Sequence, residues 1–141
     1  MILFIDTTNR EQSTLAAIYA DLVKVRNFKT PGRLSERLPL AMGKFLKSIK
    51  LNITDVKKIV VVRGPGSFIG IRTGVAYANA FSAALNLPIL GIQATDVPKD
   101  LRDLRKAKMV TKLVTPKYGA PPNITGSPSP AKGKNITLQK K

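Results

Sequence analysis

Two stretches of this chain carry the residue types from which a reactive or ligand-binding site could be built. One is Asp6, which ends the apolar run Ile2-Leu3-Phe4-Ile5 and is followed by Thr7-Thr8. The other is the glycine-rich turn Arg63-Gly64-Pro65-Gly66-Ser67-Phe68-Ile69-Gly70-Ile71-Arg72. A glycine turn between a strand and a helix can present backbone N–H groups to an anion, and an aspartate after a strand is a candidate base or metal ligand. Two nucleotide fingerprints fail here. Three residues separate Gly66 from Gly70 where the dinucleotide pattern needs two, and no Lys-Ser/Thr pair follows to make a phosphate loop. The same turn suits a structural role equally well, with Ser67 as a helix N-cap and glycines chosen for positive φ or close packing. Beyond Asp6, Asp96 is the one further candidate carboxylate, and a lone Asp after a strand is more often a turn or capping residue. With His 0 and Cys 0, the commonest general base, the thiol nucleophile and most zinc ligands are missing. No catalytic residue, metal site or cofactor is therefore assigned.

The elements that would position these residues follow from periodicity. Met1–Asp6 reads as a buried strand. Leu15–Tyr19 and Leu22–Phe28, separated by Ala20-Asp21, read as a hairpin. From Leu34 the period changes: Leu34, Leu38, Ala41, Met42, Phe45 and Ile49 recur at helical spacing over residues 34–50, with Arg33, Arg37, Lys44 and Lys47 between them. Pro39 should kink this helix or mark a late first turn. Lys58–Val62 is a strand, Ile71–Leu85 a second helix ended by Asn86-Leu87-Pro88, and Ile89–Ile92 a last strand. The order βββαβαβ with a parallel crossover defines an α/β domain related to the ribonuclease H and actin-like ATPase folds, here over residues 1–95. Residues 96–115 supply a short basic helix over 96–108 and a short strand over 109–114. Residues 116–141 are rich in Pro, Gly, Ser and Lys, cannot bury enough apolar surface to order themselves, and are expected to be disordered or an extended arm.

A chain of 141 residues with 43% apolar residues holds one modest core. The start of the chain has no basic leader or long apolar run, so the reading is a cytoplasmic protein. The three Asn-Ile-Thr triplets, at Asn52, Asn123 and Asn135, are read as chance matches to the glycosylation pattern. Its net charge is +16; residues 1–96 hold 13 basic and 6 acidic side chains, and residues 97–141 hold 11 and 2. Such a field attracts polyanions or an acidic protein surface. The second helix is the exception: from Ser67 to Pro88, Arg72 is its only charge. A helix apolar on all sides must be covered on two faces, one by the sheet and the other by a partner protein or by the chain's own tail. The stripe Gly70, Gly74, Ala78 or the stripe Ala76, Ala80, Ala84 would be the second face. Arg72, Asn79 and Ser82 argue against a membrane span.

The stretch Val62–Gly74 resembles the RGPGSFTG-(V/L)-R-(I/T)-G signature of the TsaB (YeaZ) family, with Ile69 in place of the usual Thr. Ile2–Thr8, Leu34-Ser35-Glu36-Arg37-Leu38-Pro39, Leu87–Ile92 and Pro116-Lys117-Tyr118 are similar to further family segments in the same order. The resemblance implies a pseudo-enzyme of the actin-like superfamily, in a short form whose second lobe is reduced to a basic segment. It implies a scaffold that binds and activates a TsaD-like catalytic subunit in threonylcarbamoyladenosine modification of ANN-decoding tRNAs. The implied interface comprises Leu34, Leu38, Met42, Ser67, Phe68, Arg72, Thr73, Ala76, Tyr77 and Ala80. Arg63, Gly64, Pro65, Gly66, Ser67, Phe68 and Gly70 form the signature turn, and Asp6 and Thr7 a vestigial nucleotide site. A TsaE-like ATPase and a second copy of the chain are further partners in that reading.

Two other classes of function are weighed against it. One is a residual ATP-binding enzyme or a peptidase of the glycoprotease superfamily, built on Asp6 and the Gly64–Gly70 turn. The other is weak, salt-dependent tRNA binding through residues 99–141 and the Arg33, Arg37, Lys44, Lys47 stripe, where aromatic stacking residues are scarce.

Overall fold

A computed structural model describes residues 1–29, 32–109 and 113–118. Five strands form one mixed sheet: β1 (Ile2–Asp6), β2 (Gln12–Tyr19), β3 (Leu22–Lys29), β4 (Lys58–Gly64) and β5 (Ile89–Gln93). Their spatial order is β3-β2-β1-β4-β5. The β1–β2–β3 meander is antiparallel, with Ile5 opposite Leu15 and Leu15 opposite Arg26. The tight turn between β2 and β3 places Ala20 at φ 51°. Parallel pairing joins β1 to β4 and β4 to β5, with Phe4 beside Val60 and Val60 beside Leu90. Each parallel step needs a crossover, and the helices α1 (Leu34–Ser48) and α2 (Phe68–Leu85) supply one each.

Alternation along the strands divides the core in two. Leu3, Ile5, Leu15, Ala17, Ile59, Val61 and Ile89 face the helices, where they meet Leu38, Met42 and Phe45 of α1 and Ile71, Val75 and Ala78 of α2. Ile2, Phe4, Ala16, Ile18, Val60 and Val62 face the other way, against Leu104. That second face is covered by two short 3-10 turns, Ala94–Asp96 and Leu101–Lys106, in place of the basic α-helix expected over 96–108. The physical reason lies in the apolar spacing. Leu101 and Leu104 are three apart, which aligns them on one side of a 3-10 turn, while Val97-Pro98 and the Asp100 cap interrupt any longer helix. Burying Leu104, only 4% exposed, is worth about 2 kcal/mol.

Other boundaries differ less. The helix α1 runs through Pro39 rather than starting there, and ends at Ser48. The strand expected over 109–114 is absent at Met109, Leu113 and Val114; residues 110–112 lie outside the described residues. Pro116–Tyr118, expected to open the tail, instead packs on the domain with Leu113–Thr115, and the rest of the tail lies outside the described residues.

Candidate functional site

The turn after β4 is built against the turn after β1. The Ser67 N–H donates to the Thr8 carbonyl at 2.7 Å, and the buried Thr7 hydroxyl donates to the Gly70 carbonyl at 2.6 Å. The Ser67 hydroxyl accepts from the Gly70 N–H at 3.2 Å, which makes Ser67 the N-cap of α2. A side chain at Gly70 or Gly74 would collide with Thr7, and one at Gly66 would meet Thr8, so the glycines are required by close approach. Gly64 sits at φ 124° with the Lys117 carbonyl against it. Asp6 is likewise engaged: its Oδ1 accepts from the Thr8 N–H at 2.9 Å and the Thr8 hydroxyl at 2.6 Å. Of the pair Asp6 and Thr7, expected as a vestigial nucleotide site, Thr7 fastens the two turns together, while Asp6 holds its own turn through Thr8.

Residues 113–118 close the open end of β4 and β5. The Asn79 side-chain amide bonds both the carbonyl and the N–H of Val114, at 2.8 Å and 2.9 Å, as a strand partner would. Arg63 donates through Nε to the Thr115 carbonyl and through Nη2 to its hydroxyl. The Lys117 N–H returns a 2.7 Å bond to the Arg63 carbonyl, and Lys117 Nζ reaches Gln93. Tyr118 stacks on Phe68, with ring centroids 4.4 Å apart. Arg63, read from sequence as part of a turn, is thus a clamp. The chain's own return segment covers the start of α2 and its Asn79 edge.

It leaves the outward face of α2 open. Gly70, Ile71, Gly74, Val75, Ala78, Phe81 and Ser82 are buried, which selects Ala76, Ala80 and Ala84 as the exposed stripe. Ile69 is 70% exposed and Phe68 40%. Arg72 is exposed and Thr73 and Tyr77 are half-buried. Between this face and α1 runs a groove of about 600 Å³ lined by Ser35, Leu38, Ile69, Arg72, Thr73, Ala76 and Tyr77. Burial pushes the Tyr77 phenol above its usual pKa.

Three of the residues expected at a partner interface occupy a different place. Leu34, Leu38 and Met42 are 7%, 0% and 2% exposed, so they are the core stripe of α1, with Leu38 as the groove floor. Their i, i+4, i+8 spacing marks burial, and burial against the sheet has the stronger claim on it. Ser35 and Ile69 were missed. The signal for Ile69 was available: Ile69, Thr73, Ala76 and Ala80 recur at i, i+4, i+7, i+11 on the face opposite the glycines.

Fold and site define a ribonuclease H-like and actin-like α/β lobe whose glycine turn is packed against the turn after β1. Residues 30–97 match the family described as TsaD, tRNA N6-adenosine threonylcarbamoyltransferase. The chain is 30% identical over 102 residues to the tRNA threonylcarbamoyladenosine biosynthesis protein TsaB of Bacillus subtilis, covering 67% of this chain and 42% of that protein. It is 29% identical over 92 residues to the Escherichia coli protein of the same name, covering 64% and 39%. The structure of YeaZ from Pseudomonas aeruginosa superposes with a TM-score of 0.61 at 24% identity, over 65% of this chain and 43% of that one. The chain belongs to the TsaB (YeaZ) family, and spans about two fifths of the length of these relatives.

Proposed function

We propose that this chain is a non-catalytic partner subunit that docks on a TsaD-like transferase in tRNA threonylcarbamoyladenosine biosynthesis. The pathway is taken from the names of its Bacillus and Escherichia relatives. The observation that carries the docking role is the outward face of α2, where Ile69, Thr73, Ala76, Tyr77 and Ala80 adjoin the groove and Arg72 is the single charge. Among the exposed helix faces of so basic a protein, an apolar one is favoured only when covered, at about 25 cal/mol per Å² of area removed from water. The Arg72 guanidinium at its edge suits a carboxylate on the partner. The engagement of Thr7 with Gly70 and of Asp6 with Thr8 supports catalysis by the partner rather than by this chain.

The test mixes the purified chain with the TsaD-like protein from the same source and measures mass by light scattering. A heterodimer is expected, and Ala76→Arg or Ala80→Arg should abolish it while leaving the thermal melt of the chain unchanged. Complex formation untouched by both substitutions would remove α2 from the interface.

A further inference from the structure

We propose that the cleft between the edge strand β3 and helix α1 is a binding site for the phosphate backbone of RNA. Arg26, Phe28 and Lys29 of β3 and Arg33, Arg37 and Lys44 beside them line a cleft of about 430 Å³. Glu36 is the one acid in that lining, so five cations and one anion leave a charge of +4. Arg37 and Lys44 of α1, two turns apart on one helix face, stand about 10 Å apart along its axis, and Arg33 at the N-cap extends the row. A row of this length meets several successive phosphates.

Among the described residues, no ion pair consumes this charge. Among the described residues the two ion pairs are Arg102 with Asp100 and Arg105 with Asp21, both on the 3-10 segment far along the chain. That segment, expected from sequence to share in RNA binding, spends these two cations on Asp100 at its own start and on Asp21 in the turn between β2 and β3. The cleft cations form no such pair among the described residues.

Edge protection explains basic residues on β3, since charge there discourages strand-to-strand aggregation. It does not explain three more cations on the facing helix and its N-cap. Like charges gathered in one cleft repel, and an anionic occupant removes that cost. Backbone geometry adds a second observation. Arg33, the N-cap of α1, is held at φ 55° and ψ 32° with no side-chain cap bond. Glycine or asparagine would adopt this left-handed conformation more cheaply, and non-glycine residues kept there cluster at functional sites.

The cleft's shape selects among anions. It is a concave row with the half-buried Phe28 ring and the 67% exposed Leu40 in its wall, which offers apolar contact to sugars or bases between phosphate contacts. A membrane surface would need a flat or convex patch. The choice of RNA rests on the proposed role in tRNA modification; the cleft's demand for a polyanion does not.

Fluorescence anisotropy with a labelled RNA stem–loop and the full chain tests this. Arg26→Glu with Arg37→Glu should weaken binding at least ~10-fold and lower the slope of log affinity against log salt by about 2. The charge-matched pair Lys106→Glu with Lys108→Glu should weaken it far less. Arg33→Gly should weaken binding while keeping or raising the melting temperature. Equal losses in the two charge-matched pairs would reduce the effect to net charge, and unchanged binding in the cleft variant would place the site elsewhere; either result overturns the proposal. Light scattering with the TsaD-like protein separates this from the docking role, since the cleft variants should still form the complex. Loss of the complex without loss of RNA binding would strike the docking role alone.

Discussion

The Thr7 hydroxyl and the Gly70 carbonyl, 63 residues apart in sequence, are joined by a buried 2.6 Å hydrogen bond that ties the end of β1 to the first turn of α2. Thr7→Val keeps the shape and removes the donor, so the expected loss is about 1 kcal/mol of unfolding free energy. Gly74→Ala sets a methyl against the Thr7 side chain and should cost about 2 kcal/mol, despite alanine's better helix propensity. In a Thr7→Ala background the same substitution should cost much less, because the colliding hydroxyl is gone. Urea denaturation of the four proteins measures this cycle, and additive losses would refute the contact.

Asn79 anchors the return segment through both polar atoms of its amide. Asn79→Leu removes both bonds to Val114, and the amides of Thr115 and Lys117 should then exchange with solvent roughly 10-fold faster, while those of β1 and β4 keep their protection. Hydrogen exchange followed by mass spectrometry reads this directly. Uniform acceleration across the domain would mean that Asn79 supports the whole core instead.

Arg102 holds the exposed Asp100 carboxyl at a pKa of about 2 through hydrogen bonds to its side chain and backbone. A depressed carboxylate pKa gives stabilisation that is present above the ordinary aspartate value and lost as pH falls through about 2. The contribution of this pair should therefore be constant between neutral and mildly acidic pH, with no pH dependence of stability arising from it there. Carboxyl-carbon NMR should place Asp100 at about 2 in the parent and higher in Arg102→Ala, which loses the guanidinium bonds and keeps the backbone N–H bond of residue 102. An identical titration in both would dissolve the pair.

Much of this architecture was legible because the signals were local. The apolar run Ile2–Ile5, the hairpin around Ala20-Asp21 and the strand–turn–helix at Lys58–Leu85 announce the element order, and β1–β5 with α1 and α2 follow it. Ser67 was readable as an N-cap for the same reason. What sequence could not resolve was competition between surfaces. Leu34, Leu38 and Met42 carry the same periodicity whether a helix faces a sheet or a partner, and only the packing assigns them to the core. Gly70-Gly74-Ala78 and Ala76-Ala80-Ala84 are equivalent stripes until Thr7 is placed beneath the first. The partnership of Asn79 with Val114 spans 35 residues and has no periodic signature at all. The convergence of Arg26 with Arg33 and Arg37 likewise depends on β3 lying alongside α1, which the helical stripe alone does not reveal.

Ile69 supplies the sharpest separation between folding and docking. At 70% exposure, it lies in the first turn of α2, two residues after the Ser67 cap and at the mouth of the groove. Ile69→Thr should leave the unfolding free energy within about 0.5 kcal/mol of the parent, and Ile69→Lys within about 1 kcal/mol, because the site is exposed and a cation in the first turn opposes the helix dipole only modestly. Their effects on the complex should differ. Lysine introduces a charge that must be desolvated on docking and should cost about 2 kcal/mol of binding, or roughly 30-fold in Kd, whereas threonine loses mainly apolar area and should cost about 1 kcal/mol. Isothermal titration of the TsaD-like protein with the three chains gives the ranking isoleucine, threonine, lysine if this face is covered on binding. Equal affinities with unchanged stability would leave the apolar face of α2 outside the interface.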